Sequence, residues 1–276
     1  MNENVSASVD KLIAIDLDGT LVAPNGSISP ENISAIQRAG GQGAAVIIVT
    51  GRPYLSADAV ASHLDLPVVP IVSFNGALIR WSGHGATLVS VCLAADVSGE
   101  IVEACRRQRL HMHYYLGDQL YVSENNERAR RYCERNGLSC IEEPDMRRFA
   151  GLEPLKLLVI DEPPTIGRLL VACQQRWGDR VYVTRSMPEY LEFLSPLVSK
   201  GHALDWLLEF YNVPRQNSLA IGDSMNDLPL LERAGTAVAM PDADDDLRRL
   251  ADYVPADGPT GVAAAIDWFL DGRQRA

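Results

Sequence analysis

The sequence contains no apolar run long enough to cross a membrane, and the polar stretch 1–10 lacks the apolar core of a signal peptide. It also lacks a surplus of basic residues, because 36 acidic side chains outnumber 25 lysines and arginines and give the 276-residue chain a net charge of −11. Nucleic-acid backbones are bound through basic surfaces. We therefore expect no nucleic-acid partner, no membrane partner and a cytoplasmic location.

Cysteine is scarce, and the five cysteines include no C-x-x-C pair. This pattern predicts reduced thiols and neither a zinc site nor a disulfide framework. The stretch GGQG at 40–43 lacks the third glycine of a dinucleotide-binding loop and predicts a helix-to-strand connection. None of the five histidines has a metal-ligand context. His111 and His113 alternate on one face of a predicted strand, where we favour a structural or substrate-edge role over a metal site.

Two hydrophobic strands are each followed by closely spaced aspartates. The first segment reads IAIDLDGTL at 13–21, and the second reads LAIGDSMND at 219–227. Buried carboxylates are unfavourable unless a cation gathers them, and an open α/β sheet binds its ligands where its strands end. Oxygen ligands suit a hard divalent ion. The two segments together therefore predict a Mg²⁺ site.

The spacing of the first two aspartates suggests that the two carboxylates have different catalytic roles. Asp16 and Asp18 are two residues apart on an extended segment and project to the same side, and Gly19 permits the turn that follows. One carboxylate could attack phosphorus and form an aspartyl phosphate, while the other acts as general acid and base. An isolated D-x-D pair more often caps a turn. The complete string DLDGTL favours the catalytic interpretation.

With three further segments in the same order, this string resembles the haloacid dehalogenase (HAD) superfamily of phosphohydrolases. VIIVTGR at 46–52 is similar to the second motif of that superfamily, Lys200 in VSKG to the third, and GDSMND at 222–227 to the fourth. SFNGA at 73–77 resembles the Cof-type branch, which carries a type IIB cap domain. Pro241 and Asp242 depart from that branch, which tends to have Gly-Asn there, so contacts of that asparagine are not carried over.

The resemblance implies Mg²⁺ as cofactor and a role for each matched residue. Asp16 would be the nucleophile, and Asp18 the general acid and base. The phosphoryl group would be held by Leu17, Thr50, Gly51, Lys200 and Asn226. The metal would be held by Asp16, Asp223, the backbone carbonyl of Asp18, and Ser224. Arg52, Asn75 and Asp227 would contact these phosphate-binding and metal-binding side chains and orient them.

The order of elements predicts the fold class, an α/β Rossmann-like core with a parallel sheet and an inserted α+β cap. Strands and helices alternate over 11–80 and again over 195–272, which is typical of a parallel sheet. We expect the core at 1–80 and 195–276, and the cap at 81–194. The acidic run 242–246 predicts a helix N-terminus. Substrate-selecting cap residues are proposed only from position and polarity, and are Tyr114, Tyr115, Arg147, Lys156 and Arg185.

These features predict a Mg²⁺-dependent phosphatase that hydrolyses small phosphomonoesters, such as a sugar phosphate or a similar metabolite. Arg52 and Lys200 would supply a local positive site in an acidic protein. A phosphotransferase or mutase on the same fold is one alternative. A receiver-like phospho-aspartate signalling module is another, although it would need neither an acid/base pair nor an inserted cap. A catalytically idle binding protein would require a broken motif, and all four motifs are intact.

Overall fold

The computed structural model describes residues 9–83 and 85–272. The stretch 1–8, which is most of the polar start that predicts no signal peptide, lies outside the described residues, as does His84. Within the described ranges, no helix has the length and apolar character needed to cross a bilayer.

The elements follow one another in a regular alternation at both ends of the chain. The described strands are β1 (Lys11–Ile15), β2 (Ala44–Ile48), β3 (Pro70–Ser73), β4 (Leu78–Trp81), β5 (Thr87–Ser90), β6 (Met112–Leu116), β7 (Gln119–Val122), β8 (Cys140–Glu142), β9 (Lys156–Ile160), β10 (Tyr182–Met187), β11 (Tyr190–Leu194), β12 (Ser218–Gly222) and β13 (Thr236–Ala239). The described helices are α1 (Pro30–Gly41), α2 (Tyr54–Ala61), α3 (Ala95–Arg107), α4 (Glu127–Asn136), α5 (Pro163–Trp177), α6 (Lys200–Tyr211), α7 (Leu228–Arg233), α8 (Asp245–Leu250) and α9 (Gly261–Leu270).

Four parallel strands form the central sheet in the order β13-β12-β1-β2. A parallel bridge between Val49 and Val72 continues this sheet towards β3, which pairs in turn with β4 and β5. Alternation along β1 gives the sheet two apolar faces, as expected for strands covered on both sides. Ile13 packs with apolar residues of α1 and α9, and Leu12 packs with residues of α6 and α7 on the opposite face.

The segment between the two halves of the core forms a six-stranded sheet in the order β10-β11-β9-β6-β7-β8. Its neighbours pair antiparallel except β7 and β8. A separate apolar cluster joins this sheet to α3 and α5 through residues such as Ile101, Ile166 and Phe193. The parallel core and this α+β unit agree with the predicted fold class.

Some boundaries differ from those expected. β5 lies within the range 81–194 expected for the cap, but it pairs with β4 and so continues the sheet of the core. α7 begins at Leu228, because the turn Met225–Asp227 before it is a 3₁₀ helix. The acidic run does lie at a helix start, since Asp245 and Asp246 form the first turn of α8.

Candidate active site

The parallel register brings the ends of three strands to one edge of the sheet. Ile15 is level with Ile221 of β12 and with Ile48 of β2. The Asp16 amide donates to the Ile221 carbonyl at 3.0 Å, which extends the pairing one residue past β1. The side chains that follow these strand ends therefore meet at the edge where α/β sheets bind ligands.

Lys200 is fully buried between two carboxylates at the start of α6. Its Nζ donates to Asp16 Oδ1 and to Asp227 Oδ1, both at 2.5 Å. Ser199 caps this helix by accepting the His202 amide hydrogen at 3.1 Å, which fixes where the helix begins. Burial alone would lower the pKa of Lys200, but the two carboxylates raise it, so the side chain is an ammonium.

Asp223 follows β12 and faces the loop that carries Asp18. It accepts hydrogen bonds from the Thr20 hydroxyl at 2.7 Å and the Ser224 hydroxyl at 2.8 Å. Gly19 permits this close approach, because its φ is +87° and a Cβ there would collide with the Asp223 carboxylate. Burial and the charge of Asp227 raise the pKa of Asp223 to about 6.

Three carboxylates gather at this point. Oxygen atoms of Asp16, Asp223 and Asp227 lie within 4.8 Å of one another. The second oxygen of Asp227 accepts the amide hydrogens of Asp223 and Ser224, both at 3.1 Å, so this carboxylate is fully used in holding Lys200 and its own turn. Burial and Asp227 raise the pKa of Asp16. Like charges crowded in this way fit a divalent cation, which Asp16 and Asp223 could hold.

The loop after β2 offers groups suited to a phosphoryl oxygen. The Thr50 amide donates to the Val72 carbonyl at 2.9 Å, and the Thr50 Oγ1 accepts from the Arg52 amide at 3.1 Å. The hydroxyl hydrogen of Thr50 is therefore available to a ligand. Leu17 is different, because its side chain is fully buried in the hydrophobic core. Any contact of Leu17 with a phosphoryl group would have to come from its backbone.

Two guanidinium groups from different parts of the chain hold Asp18. Arg52 donates to both Asp18 oxygens at 2.7 Å, and Arg135 of α4 donates to Oδ1 at 2.9 Å. Although burial opposes the charge, hydrogen bonds and charges of these arginines lower the pKa of Asp18 to about 2. Asp18 is thus an ionised carboxylate here, and this contact ties α4 to the loop after β1.

A series of side-chain hydrogen bonds runs from the six-stranded sheet to the turn after β12. The Asn75 Nδ2 donates to Glu192 Oε2 at 2.5 Å, and the Asn226 Nδ2 donates to Asn75 Oδ1 at 2.9 Å. Lys156 is 1% exposed and donates to Glu192 Oε1 at 2.8 Å and to the Gly51 carbonyl at 2.7 Å. Asn75 has a φ of 55°, a conformation in which asparagine is among the more tolerant side chains.

An inner cavity and a wider cleft adjoin these groups. The inner cavity has a volume of only about 30 Å³ and is lined by Asp16, Thr50, Gly51, Ser224 and Asn226 among others. A cleft of about 660 Å³ lies next to it, between α2, the loop 22–28 and the end of α4. Asp18, Arg52 and Arg135 line both spaces and so stand at the boundary between them.

The cap residues proposed from position and polarity differ in whether they line the inner cavity. Lys156 does line the inner cavity. Tyr114 donates to the Leu152 carbonyl within the cap, and Arg147 is an exposed partner of Asp145. Neither is in the described lining of the inner cavity, and both roles stay predictions. Tyr115 is fully buried with its ring against Phe74, and its hydroxyl is bonded to that of Tyr132. Arg185 is absent from the described lining of the inner cavity.

Among the cap residues that line the inner cavity, sequence reasoning missed Arg135 and Glu192, which contact core side chains. Glu192 carried a readable signal, because it is the single charge in the otherwise apolar strand YLEFL. A carboxylate in a buried strand needs a partner. Arg135 is one of four arginines on α4 and carried no such signal.

Comparison with known proteins gives consistent results. The model of the family described as haloacid dehalogenase-like hydrolase matches residues 13–266. The 5-amino-6-(5-phospho-D-ribitylamino)uracil phosphatase of Bacillus subtilis is 32% identical, over 95% of this chain and 99% of that protein. The crystal structure of a haloacid dehalogenase-like hydrolase from Bacteroides thetaiotaomicron has a TM-score of 0.82 at 27% identity, over 94% of this chain and 98% of that chain.

A more distant structure bears on the cap. A sugar phosphatase of HAD subclass IIB has a TM-score of 0.80 at 19% identity, over 94% of this chain and 98% of that chain, which is a likeness of fold. The predicted resemblance and fold class are confirmed by these matches. The chain belongs to the family of haloacid dehalogenase-like hydrolases.

Proposed function

We propose that the protein is a Mg²⁺-dependent phosphatase that hydrolyses small phosphomonoesters through an aspartyl phosphate on Asp16. The observation that carries this proposal is the cluster of Asp16, Asp223 and Asp227 around the buried ammonium of Lys200. The cluster lies at the carboxyl edge of a parallel sheet, and its Asp16 lines the inner cavity, which would have to widen to admit a phosphoryl group.

The chain's own groups supply most of the chemistry in this proposal. Asp16 attacks phosphorus and displaces the leaving oxygen, so that a P–O bond forms on Asp16 as the ester P–O bond breaks. The Thr50 hydroxyl and Lys200 neutralise charge on the other phosphoryl oxygens. Bound Mg²⁺ would offset the charge that develops there. Asp16 and Asp223 are the residues that would hold it, and Ser224 and the Asp18 carbonyl are further candidates.

Asp18 is proposed as the general acid and base, but its present contacts oppose that role. A carboxyl with a pKa near 2 carries no proton to donate at neutral pH. Arg135 belongs to the cap and Arg52 to the core, so movement of the cap would remove one of the two guanidinium partners. We propose that Asp18 takes up its proton only when a bound substrate displaces Arg135 and also draws away Arg52, which lowers the pKa of Asp18 more than Arg135 does.

The substrate class is inferred from the wide cleft beside the site. Its walls combine apolar side chains, such as Val22, Ile33 and Val60, with the guanidinium groups of Arg52 and Arg135. This lining suits a phosphorylated metabolite with a flat or partly apolar body and hydrogen-bond acceptors. The Bacillus subtilis relative, named for a phosphorylated ribitylamino-uracil, has a substrate of that kind. A cytoplasmic location remains a prediction.

The test is a screen of phosphorylated metabolites for phosphate release, run with Mg²⁺, with metal-free protein in EDTA, and with Asp16→Asn. We expect release only from the native protein with Mg²⁺, because the amide is neither a nucleophile nor an anionic ligand. Full activity of the EDTA-dialysed protein would disprove the metal requirement. Release by Asp16→Asn would disprove the nucleophile. An added alcohol acceptor in the same screen distinguishes a phosphotransferase, since phosphate would then appear on the acceptor.

A further inference from the structure

We propose that Glu192 is a positioning residue, which sets the orientation of the Asn226 side-chain amide at the phosphoryl site by acting through Asn75. Its effect on rate rests on the proposed phosphatase function. The orientation itself does not.

The first step concerns the charge of Glu192. This side chain is 2% exposed, and its Oε1 accepts from the Lys156 ammonium at 2.8 Å and the Ser186 hydroxyl at 2.9 Å. Lys156 is itself buried, so the two side chains neutralise each other. An ionised carboxylate can only accept hydrogen bonds. Whatever contacts Glu192 Oε2 must therefore be a donor.

The second step carries this requirement to the core. The group at Glu192 Oε2 is the amide of Asn75, which must turn its NH₂ towards the carboxylate at 2.5 Å. Its carbonyl oxygen is then left on the other side, where it can only accept. That oxygen faces Asn226, whose NH₂ must donate at 2.9 Å. The two ends of an amide have nearly the same shape, so this chain of donors and acceptors decides both orientations.

The third step concerns the atom that the Asn226 side chain presents to the inner cavity. Asn226 is 3% exposed and lines the inner cavity with Asp16 and Thr50. Its Oδ1 is buried and has no hydrogen-bond partner among the described residues. A buried amide oxygen without a partner leaves an acceptor for a donor in the cavity, such as a water molecule. In this orientation the second Nδ2 hydrogen of Asn226 is left for a phosphoryl oxygen, the contact expected from sequence. With the amide reversed, the site would lose the acceptor that holds such a water molecule.

The hydrogen bonds that run from Glu192 through Asn75 to Asn226, here called the relay, also depend on the position of the cap. Glu192 and Lys156 belong to the six-stranded sheet, whereas Asn75 and Asn226 belong to the core. The backbone holds Asn75 in place, because the next residue, Gly76, has a φ of +104° and a Cβ there would lie 2.6 Å from the Ser199 carbonyl oxygen. Only the cap side of the relay can therefore withdraw, and the amides are oriented when the cap is seated.

The experiment exchanges the carboxylate at position 192 and the side-chain amide at position 75. In Glu192→Gln, the Lys156 ammonium still requires the side-chain oxygen, so the new NH₂ faces Asn75 and reverses both asparagine amides. In Asn75→Asp, two carboxylates face each other. In the double variant Glu192→Gln/Asn75→Asp, the new amide at position 192 would donate to the new carboxylate at position 75, which would again accept from Asn226. The double variant therefore restores the Asn226 orientation and keeps the net charge of the native protein.

We expect kcat for p-nitrophenyl phosphate with Mg²⁺ to fall about tenfold or more in each single variant, and KM to change less. The double variant should recover to within about threefold of the native kcat. Glu100→Gln, which makes the same substitution on the exposed surface of the cap, is the control and should leave kcat unchanged. Thermal unfolding identifies variants that do not fold.

Native kcat in Glu192→Gln would overturn the proposal, as would a folded double variant that stays as slow as the single ones. Neutron diffraction from the native protein provides a test without substitution, since it locates the amide deuterons of Asn75 and Asn226. Deuterons on the sides opposite to those assigned here would also overturn it. If the native protein hydrolyses no phosphomonoester, the proposed function fails, and the neutron result still decides the relay.

Discussion

Asp18 illustrates how one residue can be recognised from sequence while its state cannot. The string DLDGTL identifies it as the candidate acid and base, but the string says nothing of Arg135, which lies 117 residues further along the chain. The ion pairs with two arginines depend on how the cap packs on the core. The same limit applies to Glu192, whose partner Asn75 is also 117 residues away. Motifs at strand ends were predictable because the strands themselves bring them together.

Substitution of Asp18 tests its proposed role directly. Asp18→Asn should slow hydrolysis of alkyl phosphates by roughly 10²–10⁴, because their leaving oxygen needs a proton. Hydrolysis of p-nitrophenyl phosphate should fall much less, because nitrophenolate leaves without one. The measurement is kcat for both substrates with the native protein and the variant. Equal losses on the two substrates would show that Asp18 acts otherwise.

At the scale of elements, the start of α6 links helix stability to catalysis. Ser199→Ala should lower the free energy of unfolding by about 1 kcal/mol, because the cap bond to the His202 amide is lost. It should also lower kcat, since fraying at this end shifts Lys200 away from Asp16.

Ser29→Ala is the matched control for that prediction. Ser29 caps α1 by accepting the Asn32 amide hydrogen, so the same substitution should cost similar stability and leave kcat alone. Urea unfolding and kcat measured on both variants make the comparison. If both lose activity equally, the loss reflects general destabilisation.

The paired histidines at the start of β6, His111 just before the strand and His113 within it, predict a pH dependence of stability. His111 Nε2 and His113 Nε2 are 2.9 Å apart, and burial and Arg128 lower the pKa of His111 to about 4. Burial and His111 likewise lower the pKa of His113. Both rings are neutral in the folded protein, while the unfolded chain takes up protons below about pH 6.5. Stability is therefore greatest above that pH and is lost as the pH falls towards 4.

For His111 alone the loss should be on the order of 2 kcal/mol between about pH 7.5 and about pH 5. Urea unfolding at the two pH values measures it, and His111→Asn should show a smaller difference than the native protein. An unchanged difference would mean that other groups control acid stability. The structural or substrate-edge role favoured from sequence for these histidines stays a prediction.

For the whole molecule, the sheet pairing suggests where the cap begins. β5 pairs with β4 of the core, so we propose boundaries near 91–194 in place of the 81–194 expected from sequence. Apolar packing crosses this boundary, as the edge-on contact of Phe74 with Tyr115 shows. Deleting the cap would expose that surface, so exchanging it for the cap of a relative is the better experiment.

The exchanged protein should keep activity on p-nitrophenyl phosphate and lose its preference among metabolites. Asp16, Thr50, Lys200 and Asp223 lie outside 91–194 and, in the proposed function, would contact only the phosphoryl end, which every phosphomonoester shares. The ratio of kcat/KM for the best metabolite to that for the aryl phosphate should change at least about tenfold. A correctly folded chimaera with an unchanged ratio would locate specificity in the core.

The size of the inner cavity has a consequence for how fast such an enzyme could work. A volume of about 30 Å³ leaves room for only about two water molecules, far less than a phosphomonoester requires. Each catalytic cycle would then include an excursion of the cap, in which Arg135 leaves Asp18 and returns. Such gating takes microseconds to milliseconds and can limit turnover by the departure of product. The best substrates would then have the same maximal kcat. This value would depend on solvent viscosity and not on the leaving group.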